Sequence, residues 1–107
     1  MTKSKHFFMN DAQLEETARL FGILSDASRL RILRELMQGS YTVSELMERT
    51  GLKQGNLSKH LGVLHQAGFL QRETEGNFAR YHLVDPSVKD LCGLMCGRIR
   101  ERAKAFL

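Results

Sequence analysis

Apolar residues recur every three or four positions along most of the chain and every second position over one short stretch. Leu14, Ala18, Phe21 and Leu24 keep helical spacing behind the cap-type side chains of Asn10-Asp11, which predicts a first helix from about Asp11 to Leu24. Ser25-Asp26 is suited to cap a second helix, with Leu30, Leu33, Leu36 and Met37 as its apolar side and Gly39 as its stop. Arg29, Arg31 and Arg34 fall between those positions and read as solvated charge with no further role. Thr42-Val43-Ser44-Glu45 is a capping box, in which the Thr hydroxyl accepts a backbone N–H three residues on and the Glu side chain reaches back. A short third helix starts there, with Val43, Leu46 and Met47 inward, and ends at Gly51. Leu57, Leu61 and Leu64 carry a fourth helix from Gln54 to Ala67-Gly68.

After Gly68 the period falls to two. Leu70-Gln71-Arg72-Glu73-Thr74 and Phe78-Ala79-Arg80-Tyr81-His82-Leu83 alternate around Glu75-Gly76-Asn77, which predicts a hairpin. Arg72 and Arg80 then share one strand face at opposite positions, where like charges are unfavourable unless an anion lies nearby; an external phosphate and the carboxylates of Glu73 and Glu75 are the alternatives. Asp85-Pro86 opens a last helix, along which Val88, Leu91, Cys92, Met95, Ile99, Ala103 and Phe106 trace an apolar stripe. The fold class is mainly α with a small β-hairpin, in the order four helices, hairpin, helix.

At 107 residues and 42% hydrophobic content, a single domain with its own core is expected. Charge is spread throughout, which excludes a membrane span, and the run Phe7-Phe8-Met9 is too short for a secretory signal; residues 1–10 read as a tail. Two cysteines are too few for a disulfide scaffold, and a reducing bacterial cytoplasm is the expected location. The net charge of +4 suits a polyanionic partner without identifying one. No nucleophile elbow, phosphate-binding glycine loop or catalytic carboxylate pair is present. A thiol enzyme using Cys92 or Cys96 with His82 as base would need an electropositive, accessible cysteine, whereas both lie in an apolar stripe. The chain is not expected to be an enzyme.

Four segments, taken together and in order, resemble the ArsR/SmtB family of bacterial winged helix-turn-helix repressors. They are Leu24-Ser25-Asp26-Ala27-Ser28-Arg29-Leu30-Arg31-Ile32-Leu33, Leu57-Ser58-Lys59-His60-Leu61-Gly62-Val63-Leu64, Ala67-Gly68-Phe69-Leu70 and Arg80-Tyr81-His82-Leu83. The resemblance implies a single winged helix-turn-helix domain, with residues 42–67 as the helix-turn-helix, 70–83 as the wing and 86–106 as a dimerisation helix. It also implies a homodimer joined through the first and last helices, bound to an inverted-repeat operator in double-stranded DNA. The residue chemistry agrees, because a major groove about 12 Å wide admits one helix. Lys53, Gln54, Gly55, Asn56, Ser58, Lys59 and His60 around the start of the fourth helix, with Arg72 and Arg80 on the wing, are the candidate DNA-binding residues. Lys53 stands where the family commonly has a capping Ser, and Gly55 where it often has Ser or Pro. Leu14, Phe21, Val88, Met95 and Ile99 form apolar faces expected at the dimer interface.

Metal-sensing members of the family carry cysteines in the third helix, or an Asp-x-His and His-x-x-Glu set in the last. Here the third helix has neither Cys nor His, Asp85-Pro86-Ser87 has Ser for His, and Arg98-Ile99-Arg100-Glu101 has Arg for His. A zinc site of that kind is therefore not expected. Cys92 and Cys96, four apart on the last helix, share a face with Cβ atoms about 5 to 6 Å apart, farther than a disulfide wants. Across a dimer they suit a soft metal or metalloid ion such as arsenite, or oxidation by redox or reactive sulfur species; burial as interface packing is the alternative. No other cofactor is expected. Gly93 and Gly97 suit close helix packing, His65 and His82 read as surface or core-edge side chains, and His6 belongs to the tail.

Overall fold

The structure, a computed structural model, describes residues 8–105. Helix α1 spans Asp11–Leu24 and opens with a capping box, since Asn10 accepts the Gln13 N–H and the Gln13 side chain accepts the Asn10 N–H. Helix α2, Ala27–Leu36, is capped by Asp26. Strand β1, Tyr41–Thr42, leads directly into helix α3, Val43–Thr50, where Thr42 and Glu45 complete the expected capping box. Gly51 ends α3 at φ +76°, a left-handed conformation that favours glycine. Helix α4 runs Gln54–Gln66, strands β2 and β3 run Leu70–Glu75 and Phe78–Leu83, and helix α5 runs Pro86–Ala105. Residues 1–7 of the expected tail, with His6, and Phe106 at the end of the predicted stripe lie outside the described residues. Asn10, the last residue of the expected tail, is the α1 cap its side chain suggests.

The hairpin becomes a three-stranded antiparallel sheet in the order β1-β3-β2, because β1 pairs with β3 through Tyr41 opposite Tyr81. Two residues are too few to show a period, so this strand has no signature of its own. Gly76 at φ +61° makes the turn from β2 to β3. The register sets Arg72 opposite Tyr81 and Glu73 opposite Arg80. Arg72 and Arg80 therefore lie on opposite faces, and the expected arginine pair does not form, because alternate strand residues point to opposite sides.

One buried cluster joins α2, α3, α4, β2 and the first turn of α5: Ile32, Leu33, Leu36, Leu46, Leu57, Leu61, Leu64, Phe69, Leu70 and Val88. Val88 is fully buried within the chain, which corrects its expected place at a dimer interface. Glu35, buried on α2, pairs with Arg49 of α3 at 2.9 Å, and the Arg49 guanidinium stacks 4.3 Å from the Tyr41 ring centroid. This arrangement fastens β1 and α3 to α2. By contrast, α1 buries none of its residues and α5 buries only Val88.

Candidate nucleic-acid interface

Helix α4 presents its first turns to solvent because its inward stripe starts late. Leu57, His60, Leu61 and Leu64 are buried, while Lys53, Gln54, Gly55, Asn56, Ser58 and Lys59 are exposed. Lys53 occupies the N-cap in extended conformation but makes no side-chain cap hydrogen bond, so the first N–H groups of α4 point outward unpartnered by it. Those groups lie at the positive end of the helix dipole, next to the exposed Lys53, a combination that attracts phosphate. A groove of about 300 Å³ brings the start of α3, α4 and the wing tip together, lined by Thr42, Val43, Ser44, Met47, Gln54, Ser58, Asn77, Phe78 and Ala79. Gln54 and Ser58 carry donors and acceptors of the kind that can pair with base edges.

His60 does not join this face. It is 9% exposed, and its Nδ1 accepts a hydrogen bond from Arg29 Nε at 3.2 Å. Its spacing, three residues after Leu57 and four before Leu64, belongs to the buried stripe, and its polarity alone had placed it outward. Arg29, read from sequence as merely solvated, is thus an internal contact of α4.

The two wing arginines differ. Arg80 donates to Glu75 at 3.1 Å and to the Ser40 carbonyl at 3.0 Å, and lies 3.6 Å from Glu45. Its hydrogen bond to Glu75 holds its guanidinium still more firmly protonated than usual. Its charge is already balanced within the chain, which is the carboxylate alternative left open by sequence. Arg72 is exposed and makes no ion pair among the described residues. Phe78, exposed at 61%, shares its strand face with Arg80 and His82.

On α5, Cys92 is half-buried against the core cluster and Cys96 is exposed; both thiols are free. They line a shallow groove of about 660 Å³ with Met37, Lys89, Asp90, Gly93 and Leu94. Burial pushes the Cys92 thiol above its ordinary value, and the charge of Cys96 adds to that shift. Among the described residues no three His, Cys, Asp or Glu side chains gather as a metal centre within one chain. A Cβ at Gly93 or Gly97 would meet nothing within 4 Å, so packing inside the chain does not require glycine at either place. Leu14 and Phe21 of α1 and Leu94, Met95 and Ile99 of α5 remain exposed. No helix among the described residues is long and apolar enough to cross a membrane.

Residues 26–72 match the family described as bacterial regulatory protein, arsR family. Over 77 residues the chain is 36% identical to a probable mercury resistance operon repressor of Streptomyces lividans; the match covers 72% of this chain and 62% of that protein, less than two thirds of its length. Over 79 residues it is 37% identical to the arsenical resistance operon repressor of Bacillus subtilis, covering 73% of this chain and 75% of that one. Among solved structures, the homodimeric winged helix-turn-helix DNA-binding domain Mb0332 from Mycobacterium bovis aligns with a TM-score of 0.77 at 27% identity, covering 92% of this chain and 94% of that one. The chain belongs to the ArsR family of winged helix-turn-helix transcriptional regulators, which are DNA-binding proteins and not enzymes.

Proposed function

We propose that the chain is a homodimeric repressor that binds an inverted-repeat operator through α4 and the wing, and releases it when Cys92 and Cys96 are ligated or oxidised. The observation that carries the DNA reading is the face on which Lys53, Gln54, Gly55, Asn56, Ser58 and Lys59 stand exposed beside the uncapped start of α4. Of the wing arginines, Arg72 is the one with charge left for phosphate. The exposed apolar residues Leu14, Phe21, Met95 and Ile99 on two helices that contribute little to the core support a twofold dimer. Such a dimer sets its two reading helices about 34 to 36 Å apart for half-sites one DNA turn apart.

The effector reading rests on Cys92 and Cys96 sharing one groove and on relatives named for mercury and arsenical resistance. One chain supplies two thiols, with the thioether of Met37 on the same groove, a donor set suited to soft ions. A third thiolate for a trivalent metalloid would come from the partner subunit. Because burial raises the Cys92 thiol, ligation must displace a proton there, and the apparent affinity for the ion rises with pH. One observation favours a second reading for Cys92: it packs against the core cluster, as a purely structural cysteine does.

Operator release followed by fluorescence anisotropy, with arsenite, mercuric ion, cadmium, zinc, peroxide and persulfide, separates these readings. Cys92→Ser and Cys96→Ser should bind DNA like the reduced wild type and fail to respond. A wild type that keeps full affinity under every agent, or Ser variants that respond equally well, would reduce both cysteines to packing.

A further inference from the structure

Arg29 lies three residues past the Asp26 cap of α2 and reaches in two directions. Its backbone N–H is fixed by Asp26 Oδ1 at 3.1 Å. Its Nη1 donates to the Ile23 carbonyl at 3.0 Å, one of the last-turn oxygens of α1 that lack a partner inside the helix. There the guanidinium also sits at the negative end of the α1 dipole. Its Nε donates to Nδ1 of His60, a buried ring on α4 that directly follows Lys59. A single side chain thus joins the end of α1, whose outer face carries Leu14 and Phe21, to the helix that carries Gln54, Ser58 and Lys59.

We propose that Arg29 and His60 are positioning residues that lock α4 against the α1–α2 corner in the orientation that reads DNA, and that the lock holds only while the His60 imidazole is neutral. This rests on the reading of α4 as the DNA-reading helix. Nδ1 accepts from Arg29 through its lone pair, so the neutral ring carries its proton on Nε2; a protonated ring has two donors and no acceptor. Protonation therefore replaces the Arg29–His60 hydrogen bond with two cations in contact. Asp26 offers the protonated ring another partner. Its carboxyl is held below the ordinary range first by the Arg29 N–H, and the charge of His60 acts on it in the same direction. A ring turned toward Asp26 leaves Arg29 and competes for the oxygen that caps α2. Arg29 and Asp26 are the charged groups facing His60; among the described residues no hydrogen bond or ion pair reaches it from α3 or β2, the other elements packed on α4.

The test uses the full-length chain and a duplex selected in vitro from a random-sequence pool. Operator Kd of the wild type should rise at least about five-fold on acidification from about pH 7.5 to about pH 5.5. In His60→Asn, Oδ1 accepts from Arg29 at either pH, and the same change should move Kd less than about two-fold. Arg29→Lys keeps the charge and loses the fork, so it should bind more weakly at the higher pH and lose the pH dependence as well. His65→Gln and His82→Gln should keep the wild-type profile. An unaltered profile in His60→Asn overturns the proposal. Nitrogen-15 NMR of the His60 ring supplies a readout that needs no DNA: Nδ1 should be the unprotonated nitrogen at about pH 7.5, and an Nδ1–H tautomer would overturn the lock. Failure to select any duplex would instead overturn the DNA reading, leaving the ring measurement to decide whether the contact exists.

Discussion

Replacing Lys53 with Ser should make the protein more stable and a weaker DNA binder. The other helices preceded by a cap are closed by a side chain: Asn10 for α1, Asp26 for α2 and Thr42 for α3. Lys53 holds the backbone conformation of a cap, φ −76° and ψ 155°, close to the −78° and 169° of Thr42, yet its side chain accepts nothing. A Ser hydroxyl there needs no backbone rearrangement to accept the Asn56 N–H. The expected gain is about 1 kcal/mol per chain, which corresponds to a rise of about 4 to 8 °C in Tm for a domain of this size. Subunit assembly makes Tm depend on concentration, so wild type and variant are compared at equal protein concentration. If each chain of the dimer places the Lys53 ammonium on one phosphate, the slope of log K against log salt should fall by about 0.9 per chain, or about 1.8 per dimer. Thermal unfolding followed by circular dichroism and operator binding at several salt concentrations measure the two effects. A variant with unchanged Tm would show that the uncapped N–H groups of α4 already have equivalent partners. An unchanged salt slope would remove Lys53 from the phosphate contacts.

Val88→Ala should cost about 2 kcal/mol of folding stability by opening a space in the core, while Ile99→Ala should leave the fold intact and weaken dimerisation; chemical denaturation and sedimentation velocity distinguish them, and equal effects on both readouts would refute the assignment. Gly51→Ala should destabilise by about 1 kcal/mol, through the left-handed φ alone because a Cβ there would meet nothing within 4 Å, and an unchanged denaturation midpoint would contradict it. Arg72→Ala should lower the salt slope of DNA binding by about 0.9 per chain, whereas Arg80→Ala should disturb the wing through loss of the Glu75, Glu45 and Ser40 contacts; a larger slope change for Arg80 would reverse their roles.

The features legible in the sequence were those decided within a few residues. The Asn10 and Thr42 caps and the Gly51 stop depend on neighbours three or four positions away, and the spacing of Leu57, Leu61 and Leu64 sets the inward side of α4 by itself. Strand β1 was hidden because it exists only as a partner to β3, with Tyr41 opposite Tyr81. Gly39 is suited to stop α2, but the helix closes earlier: the Met37 N–H makes the last four-residue bond, to the Leu33 carbonyl, and the Gln38 N–H turns back only three residues, to the Glu35 carbonyl. The hairpin was found from its alternation, but its register depends on the turn. Gly76-Asn77 makes a two-residue connection where three residues had been allotted, and that shift moves Arg72 away from Arg80.

A periodic stripe shows a face without showing what covers it. Val88, Met95 and Ile99 belong to one stripe on α5, yet the first turn enters the chain's own core while later turns stay exposed. Cys92 lies at the boundary between these two environments, half-buried against the core, whereas Cys96 is outside it. A change in charge or ligation at Cys92 therefore acts one turn from Val88, which packs in the same cluster as Leu57, Leu61 and Leu64 of α4. Chemistry confined to Cys96 lacks that connection. His60 illustrates the converse error: polarity suggested the outer face, but spacing placed it inside, and the guanidinium that satisfies it comes from a residue 31 positions earlier. No local rule connects residues so far apart, and only the packing of α2 on α4 brings the donor to the ring.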